Sequence, residues 1–446
     1  MEPQRLNPRG TAPTTAAEVI AIRPGPPLTG TVTVDGSKNA ALPLLAAAAV
    51  LRSPVHLSNL PDSTDVHVLI TLLREAGLDV AGFPGPANAA LISPGSIRRT
   101  TPELFTAAGR IRASYYLVPA LLALYGQARL PWPGGCRIGD RGMEQHFRVY
   151  EAYGDRCTSH QQGYGIEMAR AHRGTVSVAL PFRSRGATVA AILRAVVSGS
   201  ELRLARPNLS PEVVGLLDAL GTIGWAHHAH RELLVLVPPS HMVEGTSSWS
   251  VPGDKIEAGT LACAVAATGG TARIKGIRSR DVVPAVAQLR QAGITITEEP
   301  DALVVDARDV RPIARAMRAS ASLSPDGLDA DFEPSLLALA LGVPGNHAFA
   351  DTINPGRHAN LIPQLRSMGA DIEEISPTQC RFSGPQRLTG AGVETTDIRT
   401  GAALLIAGLA ADGITTLGGL EQLRRGHADL PGKLRSLGAD ICEVTP

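Results

Sequence analysis

Six stretches of this chain are apolar and Ala-rich almost throughout, yet each opens on charge. Gly36-Ser37-Lys38-Asn39 opens the first, Arg110-Ile111-Arg112 the second and Arg183-Ser184-Arg185-Gly186 the third. Asp254-Lys255-Ile256-Glu257, Asp329-Ala330-Asp331 and Asp397-Ile398-Arg399 open the other three. A helix N-terminus carries unpaired N–H groups and the positive end of a dipole, so it attracts anions. Cations at Lys38, Arg112 and Arg185 add to that, and ends converging on one cleft would make a pocket for a compact polyanion. Taken singly, each charge also suits a plain cap or an ion pair. Recurrence at six equivalent positions is what capping alone does not explain.

A second candidate is the stretch Pro131-Trp132-Pro133-Gly134-Gly135-Cys136-Arg137-Ile138-Gly139-Asp140-Arg141. Its glycines and prolines predict a mobile loop. A cysteine set among Arg137, Arg141 and a Gly-Gly turn has the electropositive, exposed setting of a reactive thiol, the alternative being an incidental loop cysteine. Cys157, Cys263, Cys380 and Cys442 fall in predicted helices or strands and read as packing residues. His227-His228-Ala229-His230 has an H-x-H spacing but no carboxylate or thiol nearby, so a solvated turn is expected. The pairs Gly134-Gly135 and Gly269-Gly270 lack the context of a nucleotide-binding glycine loop.

These groups must be positioned by a repeated frame. An amphipathic helix closing on glycine recurs six times, at 66–77, 144–154, 211–221, 282–293, 359–369 and 430–438, the closing glycines lying 77, 67, 72, 76 and 69 residues apart. Each glycine stands where a helix end favours the left-handed conformation. Upstream of each lies one of the Ala-rich segments, apolar on nearly every face and so predicted to be a buried helix. One unit is therefore strand, buried helix, strand, outer helix, strands. Solenoid repeats run about 20–50 residues, so longer units are small α/β subdomains, and six suggest two halves of three.

With 446 residues, two or three domains are expected. Lysine plus arginine (42) nearly cancels aspartate plus glutamate (41), and only 4% of residues are aromatic, which argues against a nucleic-acid partner. The longest apolar run, 40–51, is short of the ~20 residues of a membrane helix, so no membrane association is expected. Residues 1–20 have no apolar signal core and read as a disordered arm; the cysteines are scattered and odd in number, and the expected setting is cytoplasmic.

The segments GSKNAALPLLAAA, IRAS, PGGCRIGDR, DKIEAGT, TDIRTGAALLIAG and RRGHADLPGKLRSLGAD resemble the enolpyruvyl transferase family, most closely its bacterial UDP-N-acetylglucosamine branch, from about Leu28 to Val444. The resemblance implies a two-domain inside-out α/β barrel of six repeated units. The chain would cross between domains near Lys38 and Asp254, giving one domain of 21–37 plus 254–446 and another of 38–253. It implies transfer of the enolpyruvyl group of phosphoenolpyruvate to a hydroxyl, with release of phosphate and no metal or organic cofactor. The implied catalytic residues are Cys136 as acid, Asp331 as acceptor of the hydroxyl proton, Lys38 and Arg425. Phosphoenolpyruvate would meet Lys38, Asn39, Arg112, Arg141, Arg399 and Arg425. The acceptor would meet Asn39, Arg141, Arg183, Ser184, Arg185, Gly186, Asp331 and Arg357, with Asp254, Glu257 and Asp397 in structural places around the site.

The acceptor segments depart from the family. An Arg-Pro-Val-Asp-Leu segment that holds uracil is here Arg141-Gly142-Met143-Glu144-Gln145, followed by His146. A diphosphate-contacting Lys-Val-Ser-Val-Gly is Phe182-Arg183-Ser184-Arg185-Gly186, and Pro-Thr-Asp-Met-Gln is Asp329-Ala330-Asp331-Phe332-Glu333. A Glu-Asn-Arg segment is Pro355-Gly356-Arg357. Two added arginines suit a terminal phosphate. Two acceptors are therefore expected to compete: UDP-N-acetylglucosamine, as in peptidoglycan synthesis, and UMP, as in the variant that acts on its 3′-hydroxyl in nucleoside antibiotic biosynthesis. The shikimate-3-phosphate relative lacks the loop cysteine. A non-catalytic nucleotide-binding paralogue is the alternative from another class.

Overall fold

A computed structural model describes residues 18–51, 53–95, 107–135, 142–169, 174–241, 245–309 and 316–444. Each repeated unit contributes an inner and an outer helix. Six inner helices are α1 (Lys38–Val50), α3 (Leu117–Tyr125), α5 (Arg185–Ser198), α7 (Lys255–Ala267), α9 (Glu333–Ala340) and α11 (Ile398–Ala410). The outer helices are α2 (Thr64–Glu75), α4 (Glu144–Ala152), α6 (Pro211–Gly221), α8 (Val283–Gln291), α10 (Arg357–Ser367) and α13 (Leu430–Ser436), with a short α12 (Leu420–Arg424) before the last.

Helices α1, α3 and α5 pack on one another, and α7, α9 and α11 do the same. Small side chains make this possible: Ala46, Ala47, Ala262, Ala264, Ala402 and Ala403 are fully buried, letting helix axes approach closely. Around the helices stand six small sheets, five of four strands and one of three among the described residues. The sheets lie outside and the helices inside, so apolar side chains from both layers fill two separate cores. One core draws on residues from Ala40 to Val251, the other on Ile20 to Val34 together with Ile256 to Ile441.

The two N-terminal strands explain that split. Val19–Arg23 pairs antiparallel with Thr415–Gly418 and Asp440–Val444. Thr29–Thr33 pairs parallel with Thr271–Lys275. Two linkers then run antiparallel between the halves, bridged at Gly36 and Gly253. Ser37 N donates to Pro252 O (2.7 Å) and Asp254 N to Asp35 O (2.8 Å). A side chain at Gly36 would stand 1.9 Å from Asn59 O, and one at Gly253 1.8 Å from Gly276 O, so the crossing admits only glycine at both points.

Three expectations are corrected. The arm does not extend to residue 20: Val19 and Ile20 already belong to a strand, and Ile20 is buried because it packs into the second core. In the third unit helix α6 runs through Gly221, and the left-handed residue is Gly224 (φ +98°), three positions later. Gly221 meets nothing within 4 Å, so it is simply an exposed helix residue. The three histidines lie on the strand Ala226–His230, paired with Leu233–Val237, and not in a turn. The alternation of Leu and Val in that partner favours pairing, and the histidines occupy the exposed edge. No helix among the described residues is long and apolar enough to cross a membrane.

Candidate active site

The charged openings of the inner helices meet at a cleft of about 710 Å³ between the two cores. At one end Lys38, the first residue of α1, is buried and donates from Nζ to Asp65 Oδ2 (3.1 Å). Asp65 Oδ1 receives Arg425 Nε at 3.2 Å, so one carboxylate from the first turn of α2 joins cations from both halves of the molecule. Arg112 begins the 3-10 turn Arg112–Tyr116 that leads into α3 and lines the cleft with Asn39. Gly135 closes this end. Its backbone (φ +109°) runs so near Arg112 and Arg425 that an added Cβ would lie 3.0 Å from Arg112 Cβ and 3.6 Å from an Arg425 nitrogen. Cys136 follows in the chain; it and Arg141 lie outside the described residues.

Asp331 occupies the middle of the cleft. Its Oδ1 accepts from Arg357 (3.0 Å) and its Oδ2 from Arg399 (2.9 Å). Burial favours the neutral acid, but Arg399, Arg357 and Arg185 hold the carboxyl well below its usual range. Arg357 is itself buried, braced by Asp351 Oδ2 (3.2 Å) and Ala330 O (2.7 Å), so it presents Asp331 more than it presents itself. Arg399 is braced by His427 Nε2 (3.1 Å), whose ring burial, Arg399 and Lys433 keep neutral.

Three carboxylates serve as supports. Asp397 caps α11, accepting from Arg399 N (2.9 Å) and Thr400 N (3.2 Å), and lines the cleft. Asp254 caps α7 and lies behind the lining, accepting from Ile256 N (2.8 Å) and Glu257 N (3.1 Å). Glu257 sits at the crossing, where Asp35 N (2.7 Å) and Lys433 Nζ (2.8 Å) donate to it. Burial pushes its carboxyl up to about 7 against the pull of Lys433.

The other end belongs to the start of α5. Ser184 caps the helix through Ala187 N (3.2 Å). Arg183 pairs with Glu232 and also donates to Arg231 O (3.0 Å). Arg185 donates to Asp329 Oδ2 (2.8 Å), which also receives Lys255 Nζ (2.9 Å); Glu212 completes the cluster 3.3 Å from Lys255. Gly186 lets the helix start lie against His146 and Tyr115, since an added Cβ would be 2.7 Å from His146 Nε2. His146 lines the cleft beside Gln145 and stacks at a tilt on Tyr115, with ring centroids 4.6 Å apart. Burial, with Arg112 near, pushes its pKa down to about 3.

All the predicted site residues that are described line the cleft except Asp254 and Glu257. Asp65, Glu212, Asp329, His146 and His427 were missed as site residues. Asp65 looks like any acidic residue in a helix's first turn, and Glu212 likewise follows the first-turn proline of α6. Asp329, His146 and His427 each stood in or beside a quoted segment, His427 between Arg425 and Lys433, and those positions were a usable signal.

Two halves of three helix-in-sheet units, holding cations and one clamped carboxylate in the cleft between them, define an enolpyruvyl transferase. The chain belongs to the EPSP synthase (3-phosphoshikimate 1-carboxyvinyltransferase) family, whose pattern matches residues 22–434. It is 36% identical to UDP-N-acetylglucosamine 1-carboxyvinyltransferase 3 of Symbiobacterium thermophilum, over 95% of this chain and 97% of that one. It is 33% identical to UDP-N-acetylglucosamine 1-carboxyvinyltransferase 2 of Carboxydothermus hydrogenoformans, over 94% and 97%. The crystal structure of the enolpyruvyl transferase NikO from Streptomyces tendae superposes with a TM-score of 0.83 at 26% identity, covering 96% of this chain and all of that one. EPSP synthase from Acinetobacter baumannii shares the fold, with a TM-score of 0.74 at 17% identity.

Proposed function

We propose that this enzyme moves the enolpyruvyl group of phosphoenolpyruvate onto a hydroxyl of a uridine nucleotide and releases phosphate. The observation that carries the reading is Asp331 held between Arg357 and Arg399 in a cleft whose far wall presents Lys38, Arg112 and Arg425. Lys38, Arg112, Arg425 and Arg141 would bind the phosphate and carboxylate of phosphoenolpyruvate, with Asn39 beside them. The Cys136 thiol would protonate the methylene carbon while the acceptor oxygen bonds to C2 and passes its proton to Asp331. The tetrahedral adduct then loses a methyl proton as its C–O bond to phosphate breaks. The surrounding cations stabilise the charge at each stage. Low proton affinity suits Asp331 to orient the hydroxyl and accept its proton only as the C–O bond forms. The segments 21–37 plus 254–446 and 38–253 would act as two domains closing over the substrates, in the cytoplasm.

A second reading, with UMP as acceptor in place of UDP-N-acetylglucosamine, is favoured by Arg183 and Arg185 together at the start of α5. Phosphate release from phosphoenolpyruvate, measured with each nucleotide in parallel and with products checked by mass, tests both. Turnover with the sugar nucleotide supports the first acceptor, and turnover with UMP alone the second. No phosphate release with either would remove the uridine-nucleotide reading.

A further inference from the structure

Arg185 at the start of α5 and Lys255 at the start of α7 are not open to an arriving anion. Arg185 and Lys255 share Asp329 Oδ2 at 2.8 and 2.9 Å, and Glu212 stands 3.3 Å from Lys255 and 3.9 Å from Arg185. Two positive and two negative groups thus neutralise one another. The cluster joins the halves, since Arg185 and Glu212 belong to the first core's segment while Lys255 and Asp329 belong to the second's. Arg231 and Asp326 make a further ion pair across the same flank.

Two features bear on what Arg185 can bind. Its Nε is buried without a hydrogen-bond partner among the described residues, as is the Nε of Arg183, and both side chains line the cleft. Its partner is also a departure, because Arg185 and Asp329 stand where the family segments quoted above have uncharged valine and proline.

We propose that Asp329 sets the charge class of acceptor this cleft takes, a terminal phosphate monoester being able to displace its carboxylate from Arg185 where a diphosphate diester is not. The inference rests on the uridine-nucleotide reading. A monoester concentrates nearly two negative charges and three acceptor oxygens on one phosphorus. It can take the Arg185 fork and the unpaired Nε while Asp329 stays with Lys255. A bridging diphosphate carries one charge per phosphorus and exchanges less well for a carboxylate already in place. Asp329 Oδ1 also accepts from Asp331 N (3.1 Å), so an amide, which keeps that acceptor, is the proper probe.

The test is calorimetric binding of UMP, UDP-N-acetylglucosamine and inorganic phosphate to the whole protein and to Asp329→Asn, with turnover measured beside it. Asp329→Asn is expected to tighten UMP and phosphate several-fold and the sugar nucleotide about tenfold, narrowing the preference. Weaker or unchanged binding of all three would overturn the proposal. Arg185→Gln provides an independent variant should the first fold poorly. It is expected to weaken UMP about tenfold with the sugar nucleotide little changed, and equal losses would count against the proposal. Failure of the wild-type protein to release phosphate with either nucleotide would instead remove the uridine reading, while the binding of inorganic phosphate still reports on Asp329.

Discussion

The two ends of the cleft hold their cations in different ways. At the end proposed for phosphoenolpyruvate, Lys38 and Arg425 meet on Asp65, a buried carboxylate from the first turn of an outer helix. At the end proposed for the acceptor, Arg185 and Lys255 meet on Asp329, which is more exposed and has Glu212 beside it. Burial pushes the Asp329 carboxyl up, yet Lys255 and Arg185 bring it down to about 2, so it is ionised at any working pH. Among the described residues the first arrangement turns on one carboxylate, whereas the second shares its charges between two. A site that must always take the same small substrate can be built the first way, whereas a site whose acceptor varies is built the second.

The sharpest way to break this comparison is at the carboxylate between the ends. Asp331→Asn keeps a side chain that can face Arg357 and Arg399 but cannot take a proton. Turnover is expected to fall about 10²–10⁴-fold, with phosphoenolpyruvate binding nearly intact. Near-normal rates in a steady-state phosphate assay would assign the proton to another group and leave Asp331 as a mere brace between the ends.

Asp65→Asn tests the end where Lys38 and Arg425 meet. It leaves the Lys38 ammonium and the Arg425 guanidinium without the carboxylate between them, and one-sided removal from a buried pair costs about 3 kcal/mol or more. Denaturant unfolding should show that loss, and Asp329→Asn should cost well under half as much because Glu212 remains. Equal costs at the two ends would erase the distinction.

Much of this was legible from sequence because it repeats. Apolar helices opening on charge marked Lys38, Arg112, Arg185, Asp331 and Arg399 as equivalent positions, and the structure brings them to one cleft. Partners were not legible, since Arg185 and Asp329 are 144 positions apart and lie in different halves of the molecule. The sequence points to Gly221 as the closing glycine in place of Gly224 because Gly221 ends the apolar stretch, and only the length of α6 decides which one turns the chain. The loop residues Cys136 and Arg141 are read from motif alone.

Acid sensitivity sharpens the view of the acceptor end. His146 is neutral in the folded chain, its pKa pushed to about 3 by burial and by Arg112, while the unfolded chain takes up a proton below about 6.5. The unfolded state then binds more protons, so stability falls as pH falls from 6.5 toward 3, by about 1.4 kcal/mol per unit. His146→Phe should flatten that share of the profile, about 2 kcal/mol between pH 6.5 and pH 5. An unchanged slope in unfolding measured across that range would mean that the ring is hydrated and open to the cleft.

The smallest effect is the most specific. Arg183 is held by an exposed glutamate, Glu232, and by Arg231 O, contacts that contribute about 0–1 kcal/mol to stability. Arg183→Ala should therefore leave folding almost untouched. Its Nε has no partner among the described residues, and the side chain lines the cleft next to Arg185, so its contribution should appear only when the acceptor is bound. The acceptor KM is expected to rise about three- to tenfold, with kcat and the phosphoenolpyruvate KM unchanged, the pattern of a group that binds ground and transition states alike. A fall in kcat would place Arg183 nearer the reacting atoms than the start of α5 allows. An unchanged acceptor KM would leave Arg185 as the acceptor end's single phosphate-binding arginine, with its exchange against Asp329 accounting alone for the contrast between the two ends.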